Sequence, residues 1–165
     1  MISETNWFAL LTRSNFEQTV FKQITKKKIE AFVPTIRKKS KRKDRHVMLD
    51  RPLFPGYIFV RSTFESADQL KILKTTGAVR LIGNQKGPVP VPNHQIESLK
   101  IMTSSNIDLV TGSSVKLEKG DPVQILSGPM AGVRGEFIQH KGQGRVVIKM
   151  DLLGQYAGVE VSEED

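Results

Sequence analysis

The sequence predicts two modules: an α+β N-terminal domain with a small, mostly antiparallel sheet and three helices, and an all-β C-terminal domain built as a small barrel. Three observations predict it. Over residues 1–103, apolar patterns follow the order strand, helix, strand, strand, helix, strand, helix. Beyond residue 116 the patterns become short, alternating and regularly spaced. Charge divides the chain in the same way. Residues 1–103 hold 19 basic and 8 acidic side chains, net +11, whereas residues 117–165 hold 5 and 8, net −3. Such asymmetry points to modules with different partners.

The run Trp7-Phe-Ala-Leu-Leu11 is short, continuous and apolar, as in a buried strand. Ser14-Asn-Phe-Glu17 matches a capping box, in which Ser14 takes a free amide of the first turn and Glu17 reaches back to the cap. Phe16, Val20, Phe21 and Ile24 follow at helical spacing, so a helix of about four turns packs on that strand. Residues 29–36 alternate but contain Pro34, which cannot donate to a ladder and belongs at an edge or bulge. Leu53-Phe-Pro-Gly-Tyr-Ile-Phe-Val60 is a turn entering a strong strand, with Tyr57 and Phe59 facing one way and Ile58 and Val60 the other. Both faces are apolar, so either both are covered within the domain or one is left partly bare for a partner. Ser66-Ala-Asp-Gln69 is a second cap before Leu70, Ile72 and Leu73. Residues 78–82 form a short strand, residues 83–92 are broken by Gly and Pro, and Asn93 opens a third helix carrying Ile96, Leu99, Ile101 and Met102.

Residues 104–116 turn to Ser, Thr, Asn and Gly, the composition of a flexible linker. Val123 with Ile125, Val133, Phe137, Val146 with Ile148 and Met150, and Val159 with Val161 then mark strands. Turns punctuate them at Ser127-Gly-Pro129, Gly142-Gln-Gly144 and near Gly154, as in a barrel of about 45 residues. The expected domains are therefore 1–103 and 117–165, joined by the linker 104–116.

Residues 22–51 carry 12 basic and 3 acidic side chains, net +9, densest in Arg37-Lys-Lys-Ser-Lys-Arg-Lys-Asp-Arg45. Three readings compete: a solvated, self-repelling loop, a nuclear-localisation signal, or a phosphate-contacting hairpin tip built on Lys38, Lys39, Lys41, Arg42 and Lys43. The absence of cysteine excludes disulfides, thiolate metal sites and cysteine nucleophiles, and is compatible with a reducing interior. The longest apolar run, residues 7–11, is far short of the about 20 residues a membrane span needs, and the N-terminus lacks a secretory pattern. His46, His94 and His140 fall on separate elements, so no metal is expected, and no cofactor either. No P-loop, dinucleotide loop or nucleophile elbow is present, which argues against an enzyme.

Trp7 with the first helix, then Pro52-Leu-Phe-Pro-Gly-Tyr-Ile-Phe-Val60, Thr76-Gly-Ala-Val79 and Gly83 resemble the N-terminal domain of the NusG family. Gly120-Asp-Pro-Val-Gln-Ile-Leu-Ser-Gly-Pro-Met-Ala-Gly-Val-Arg-Gly-Glu-Phe137 resembles the KOW motif that follows it in the same order. Gly128, Gly132 and Gly135 lie close around a tight loop, where a missing Cβ permits positive φ or close backbone approach. The resemblance covers almost the whole chain outside the linker. It implies an SH3-like five-stranded KOW barrel at the C-terminus.

The resemblance further implies a cytoplasmic, monomeric transcription elongation and antitermination factor that rides on RNA polymerase. In the family, an apolar sheet face docks on the polymerase clamp helices. By position Phe54, Tyr57 and Phe59 belong to that face, with Leu81 or Ile82 contributing. The opposite flank, around Ser66, Asp68 and Gln69, would approach the gate loop, so that two contacts bridge the cleft. A bridge that binds the closed clamp better than the open one shifts the population away from paused and terminating states. Some relatives read the exposed non-template DNA strand, and Arg13, Lys71, Lys74 and Thr75 fall near the matching positions.

The acidic KOW domain fits a protein partner better than ribosomal RNA. The resemblance implies a small-subunit ribosomal protein or the termination factor Rho, contacted through Met130, Leu152 and Leu153. The compact build and the Leu-Phe-Pro lead into the strand look closer to the specialised branch typified by RfaH. Gly-Pro-Met-Ala-Gly and Asp151-Leu-Leu-Gly154, in contrast, look like the ordinary barrel. A different class of function stays open: a free-standing KOW protein that binds RNA or the ribosome.

Overall fold

Strand β1 (Asn6–Thr12) is one of the two inner strands of the first sheet, and its apolar residues serve both faces. The computed structural model describes residues 4–39 and 48–161. Helix α1 (Glu17–Lys26), the short β2 (Ala31–Phe32), the hairpin of β3 (Thr35–Lys39) and β4 (Met48–Pro52), and β5 (Tyr57–Ser62) follow. Helix α2 (Ser66–Leu73), β6 (Ala78–Leu81) and the minimal hairpin of β7 (Gly83–Asn84) and β8 (Gly87–Pro88) complete a unit spanning Met1–Val91. Its main sheet has the order β2-β5-β1-β6 and is antiparallel throughout. Pro34 ends the edge strand β2, as a residue without an amide proton should.

One face of this sheet carries the core. Phe8 and Leu10 of β1, Ile58 and Val60 of β5 and Leu81 of β6 pack with Val20 and Ile24 of α1 and Ile72 of α2. The alternation of β5 is as the sequence predicts, with Tyr57 and Phe59 on the other side. The first capping box does not form. Asn15 adopts φ 64° in a turn closed by the Phe16 amide on the Arg13 carbonyl, and α1 starts at Glu17 without a side-chain cap. Helix α2 likewise takes no cap from Ser66. Thr63 instead ties the lead-in to the first turn: its hydroxyl accepts from the Glu65 amide and donates to the Asp68 carboxylate.

The second unit spans Pro92–Asp165. It holds α3 (Asn93–Ser104), β9 (Val110–Ser113), β10 (Asp121–Gln124), β11 (Arg134–His140), β12 (Gln143–Met150) and β13 (Gln155–Glu160), with 3-10 turns at Ser114–Lys116 and Asp151–Leu153. The five strands form one antiparallel sheet of order β10-β11-β12-β13-β9. Two features depart from the expected boundaries. Residues 110–113, expected in a linker, pair with β13 as an edge strand. Helix α3, expected in the first domain, packs on the second sheet: the Ser98 hydroxyl accepts from the Arg134 amide at 2.9 Å, and the Gln95 side chain donates to the Lys149 carbonyl at 3.1 Å. Ile96, Leu99 and Met102 are its buried face.

The loop glycines behave as the sequence reading requires. Gly128 and Gly132 have φ of 82° and 98°, and a Cβ on Gly135 would collide with the Val147 carbonyl across the ladder.

Candidate docking surfaces

Phe54-Pro55-Gly56-Tyr57 is a tight turn, closed by the Tyr57 amide on the Phe54 carbonyl at 3.1 Å. Proline presets the second position, and Gly56 supplies φ 88° at the third, the combination of a type II turn. The Gly56 carbonyl then accepts from the Thr12 amide at 2.8 Å, which ties the turn to the end of β1. This anchoring aims Tyr57 and Phe59 onto one face.

On that face, cross-strand neighbours pair Leu11 with Tyr57, Ala9 with Phe59 and Trp7 with Arg61. The Phe59 ring stacks near Phe32, with centroids 6.3 Å apart, and meets Phe54 edge-on at 6.5 Å. The Arg61 guanidinium lies over Trp7 at 5.9 Å and reaches Glu30 and Thr5. The aromatic residues expected to act together thus do cluster, but their exposure differs. Phe54 and Phe59 are fully buried, while Tyr57 and Leu11 are half-buried. Ile82 donates its amide to Ala9 and is nearly buried; Leu81 belongs to the helix-backed core instead, because it is the register partner of Leu10.

The α2 flank is similarly sorted. Ser66 is exposed, whereas the Asp68 carboxylate accepts from the Thr63 hydroxyl and the Gln69 side chain donates through Nε2 to the Thr63 carbonyl.

The basic residues also separate. Arg13 and Lys74 are exposed, and the Arg13 amide donates to Gly77 in the loop that follows α2. Thr75 is buried, with its hydroxyl accepting from Lys27 Nζ at 2.9 Å, so the expected contact to a nucleic-acid strand is not presented by that side chain. Lys27 also donates to the Lys71 carbonyl at 2.9 Å, joining the C-terminal ends of α1 and α2. Its position in a run of three lysines was the available signal, but nothing in the run distinguishes the bridging one. Lys38 and Lys39 lie on β3, and Arg37 pairs with Asp50 across the hairpin at 3.3 Å. Lys41, Arg42 and Lys43 lie outside the described residues.

In the second unit, Met130 and Leu153 are buried, and Leu152 is 38% exposed. The loop around Met130 is closed by the Gly132 amide on the Ile125 carbonyl and the Val133 amide on Met130. Leu126, 82% exposed beside that loop, was missed by sequence reasoning. The signal was a break in alternation: Ile125 and Leu126 are consecutive apolar residues directly before Ser127-Gly-Pro129.

Fold and surfaces together define a two-unit protein: an α+β unit with an aromatic sheet face, and a five-stranded antiparallel unit with exposed leucines at its turns. The family model for the transcription termination factor NusG matches residues 5–100. The chain therefore belongs to the NusG family of transcription termination and antitermination factors. It is 26% identical to the transcription termination/antitermination protein NusG of Helicobacter pylori, with 94% of each chain covered. It is 24% identical to that of Staphylococcus carnosus, covering 97% of this chain and 93% of the relative. The solved structure of Thermotoga maritima NusG shares the fold with a TM-score of 0.55, 21% identity, and 96% and 93% coverage. Relatives of this family are transcription factors rather than enzymes. No helix among the described residues is long and apolar enough to cross a membrane.

Proposed function

We propose that this protein docks on the clamp helices of RNA polymerase through the β1/β5 face of its first unit and holds the clamp closed, so that pausing or termination is suppressed. The observation that carries this reading is the register pair of Leu11 and Tyr57, which leaves apolar surface half-open at the rim of a fully packed aromatic cluster. Tyr57 is the anchor. Phe54, Phe59 and Ile82 are buried and serve packing rather than contact, and Leu81 has no part in the contact. Ser66 on the flank of α2 faces the gate loop and completes the bridge, while Asp68 and Gln69 shape the end of that helix. Arg13, Lys74 and the basic β3–β4 hairpin hold the non-template DNA strand or adjacent phosphates through charge.

The second unit recruits a protein, either a small-subunit ribosomal protein or Rho, through Leu152 and Leu126. Met130 and Leu153 are buried and serve packing instead. The linker reading narrows accordingly to the residues between α3 and β9. The testing experiment is single-round transcription on a template with one strong pause. Wild-type protein shortens the pause, and Tyr57→Ala abolishes the effect while remaining folded. Equal activity of both proteins contradicts the placement.

A further inference from the structure

The second unit carries a cavity that neither Leu126 nor Leu152 lines. It has a volume of about 500 Å³ and lies against β10, β11 and β12, beside the first turn of α3. Gln124 and Arg134 are register partners, as are Pro122 with Glu136 and Glu136 with Val147, so these five side chains stand on one face of the sheet. Some charges in the lining are already engaged. Lys149 donates to the Glu118 carbonyl at 2.9 Å and pairs with the Glu136 carboxylate at 3.5 Å, and that carboxylate also accepts from the Gly120 amide. Asp151, the other carboxylate of the lining, is exposed, and solvent screens its charge. Arg134 differs from both. Its backbone is fixed to α3, because the Ser98 hydroxyl accepts from the Arg134 amide at 2.9 Å. Its side chain is exposed and has no ion-pair partner among the described residues. His94, exposed in the first turn of α3, lines the same cavity.

We propose that this cavity binds a small phosphate monoester of the size of a nucleoside monophosphate. Its volume lies in the range of small-ligand sites. The Arg134 fork donates to two phosphate oxygens at once, and the Gln124 amide and the His94 imidazole add donors from β10 and α3. Donors on three elements suit the three terminal oxygens of a phosphate better than the two of a carboxylate. Pro122 and Val123, with the buried Val147 and Ile148, supply apolar surface for the body of the ligand. Charge restricts the ligand to a short anion. Residues 117–165 carry net −3, so a nucleic-acid strand meets Arg134 and His94 here rather than a track of cations. The site goes beyond the polymerase reading and does not depend on it.

The test is a methyl-detected NMR titration of the full chain with adenosine monophosphate, with adenosine and acetate as separate arms. Adenosine monophosphate is expected to shift the Val147 and Ile148 methyls saturably, and adenosine and acetate to leave them unmoved. Arg134→Gln should weaken binding about tenfold, and Arg134→Lys less, because it loses the fork and keeps the charge. The Arg134 side chain is exposed and its bond to Ser98 is made by the backbone, so unchanged dispersion elsewhere reports that the variant is folded. Leu152→Ala should bind the nucleotide normally, which separates this site from the recruitment of a protein partner. Equal shifts with adenosine, an unchanged affinity in Arg134→Gln, or shifts that never saturate overturn the proposal. So does an equal response to acetate, which assigns the cavity to carboxylates. A single-stranded oligoribonucleotide that moves the same methyls at lower concentration than the mononucleotide also overturns it, since that outcome assigns the face to RNA.

Discussion

Leu11 and Tyr57 are register partners on neighbouring antiparallel strands, and both stay half-buried where the adjacent pair, Ala9 and Phe59, is sealed completely. One step along the strands of a single sheet face thus separates a packing residue from a residue with surface to offer.

That division predicts opposite behaviour in stability. Phe59→Ala should destabilise the first unit by about 3–5 kcal/mol, since it removes a buried ring touching Phe32 and Phe54. Tyr57→Ala should cost about 1 kcal/mol. Urea unfolding followed by circular dichroism measures both. Similar losses would show that Tyr57 is core.

Thr63 is predicted to organise the start of α2. Thr63→Ala should cost about 1 kcal/mol, because two partners, the Glu65 amide and the Asp68 carboxylate, lose their bonds together. Asp68→Ala acts on the same network, so the double variant should fall short of the summed single losses by about 0.5 kcal/mol or more. Strict additivity would contradict the network.

Two glycines should respond differently to alanine. Gly135→Ala places a Cβ against the Val147 carbonyl, a rigid neighbour, and should cost about 3 kcal/mol. Gly142→Ala meets open space and strains only a backbone at φ 79°, so about 1 kcal/mol is expected. Thermal unfolding of the two variants ranks them, and a reversed order would refute the account of the ladder.

If Arg13 and Lys74 contact phosphates, Arg13→Gln and Lys74→Gln should each reduce the salt slope of single-stranded DNA binding by about 1. Thr75→Val should leave the slope alone, because that hydroxyl is buried against Lys27. Fluorescence anisotropy across a salt series gives the slopes. A slope lowered by Thr75→Val and untouched by the other two would invert the assignment.

Local chemistry made much of this fold legible in the sequence. The alternation of residues 57–60 sorted two sheet faces correctly, Pro34 marked an edge, and three glycines marked a loop that needs them. What failed was information that spacing alone does not hold. Ser14 and Ser66 fit the spacing of caps, but the chain turns at Asn15 before α1, and at α2 the local hydroxyl bonds are made by Thr63. Leu81 and Ile82 are adjacent, and only the register of β6 against β1 assigns each to its face. Residues 110–113 are polar enough to resemble a linker, yet an edge strand needs only backbone bonds to pair with β13. Burial of Thr75, Met130 and Leu153 was likewise unreadable, since packing decides it.

The most direct measurement is the affinity of the full chain for purified core RNA polymerase, comparing wild type with Tyr57→Ala by fluorescence titration. A folded Tyr57→Ala protein that binds at least about tenfold more weakly is the predicted result. Equal affinity for the two proteins would contradict the central claim that the rim of this aromatic face is where the factor grips its enzyme.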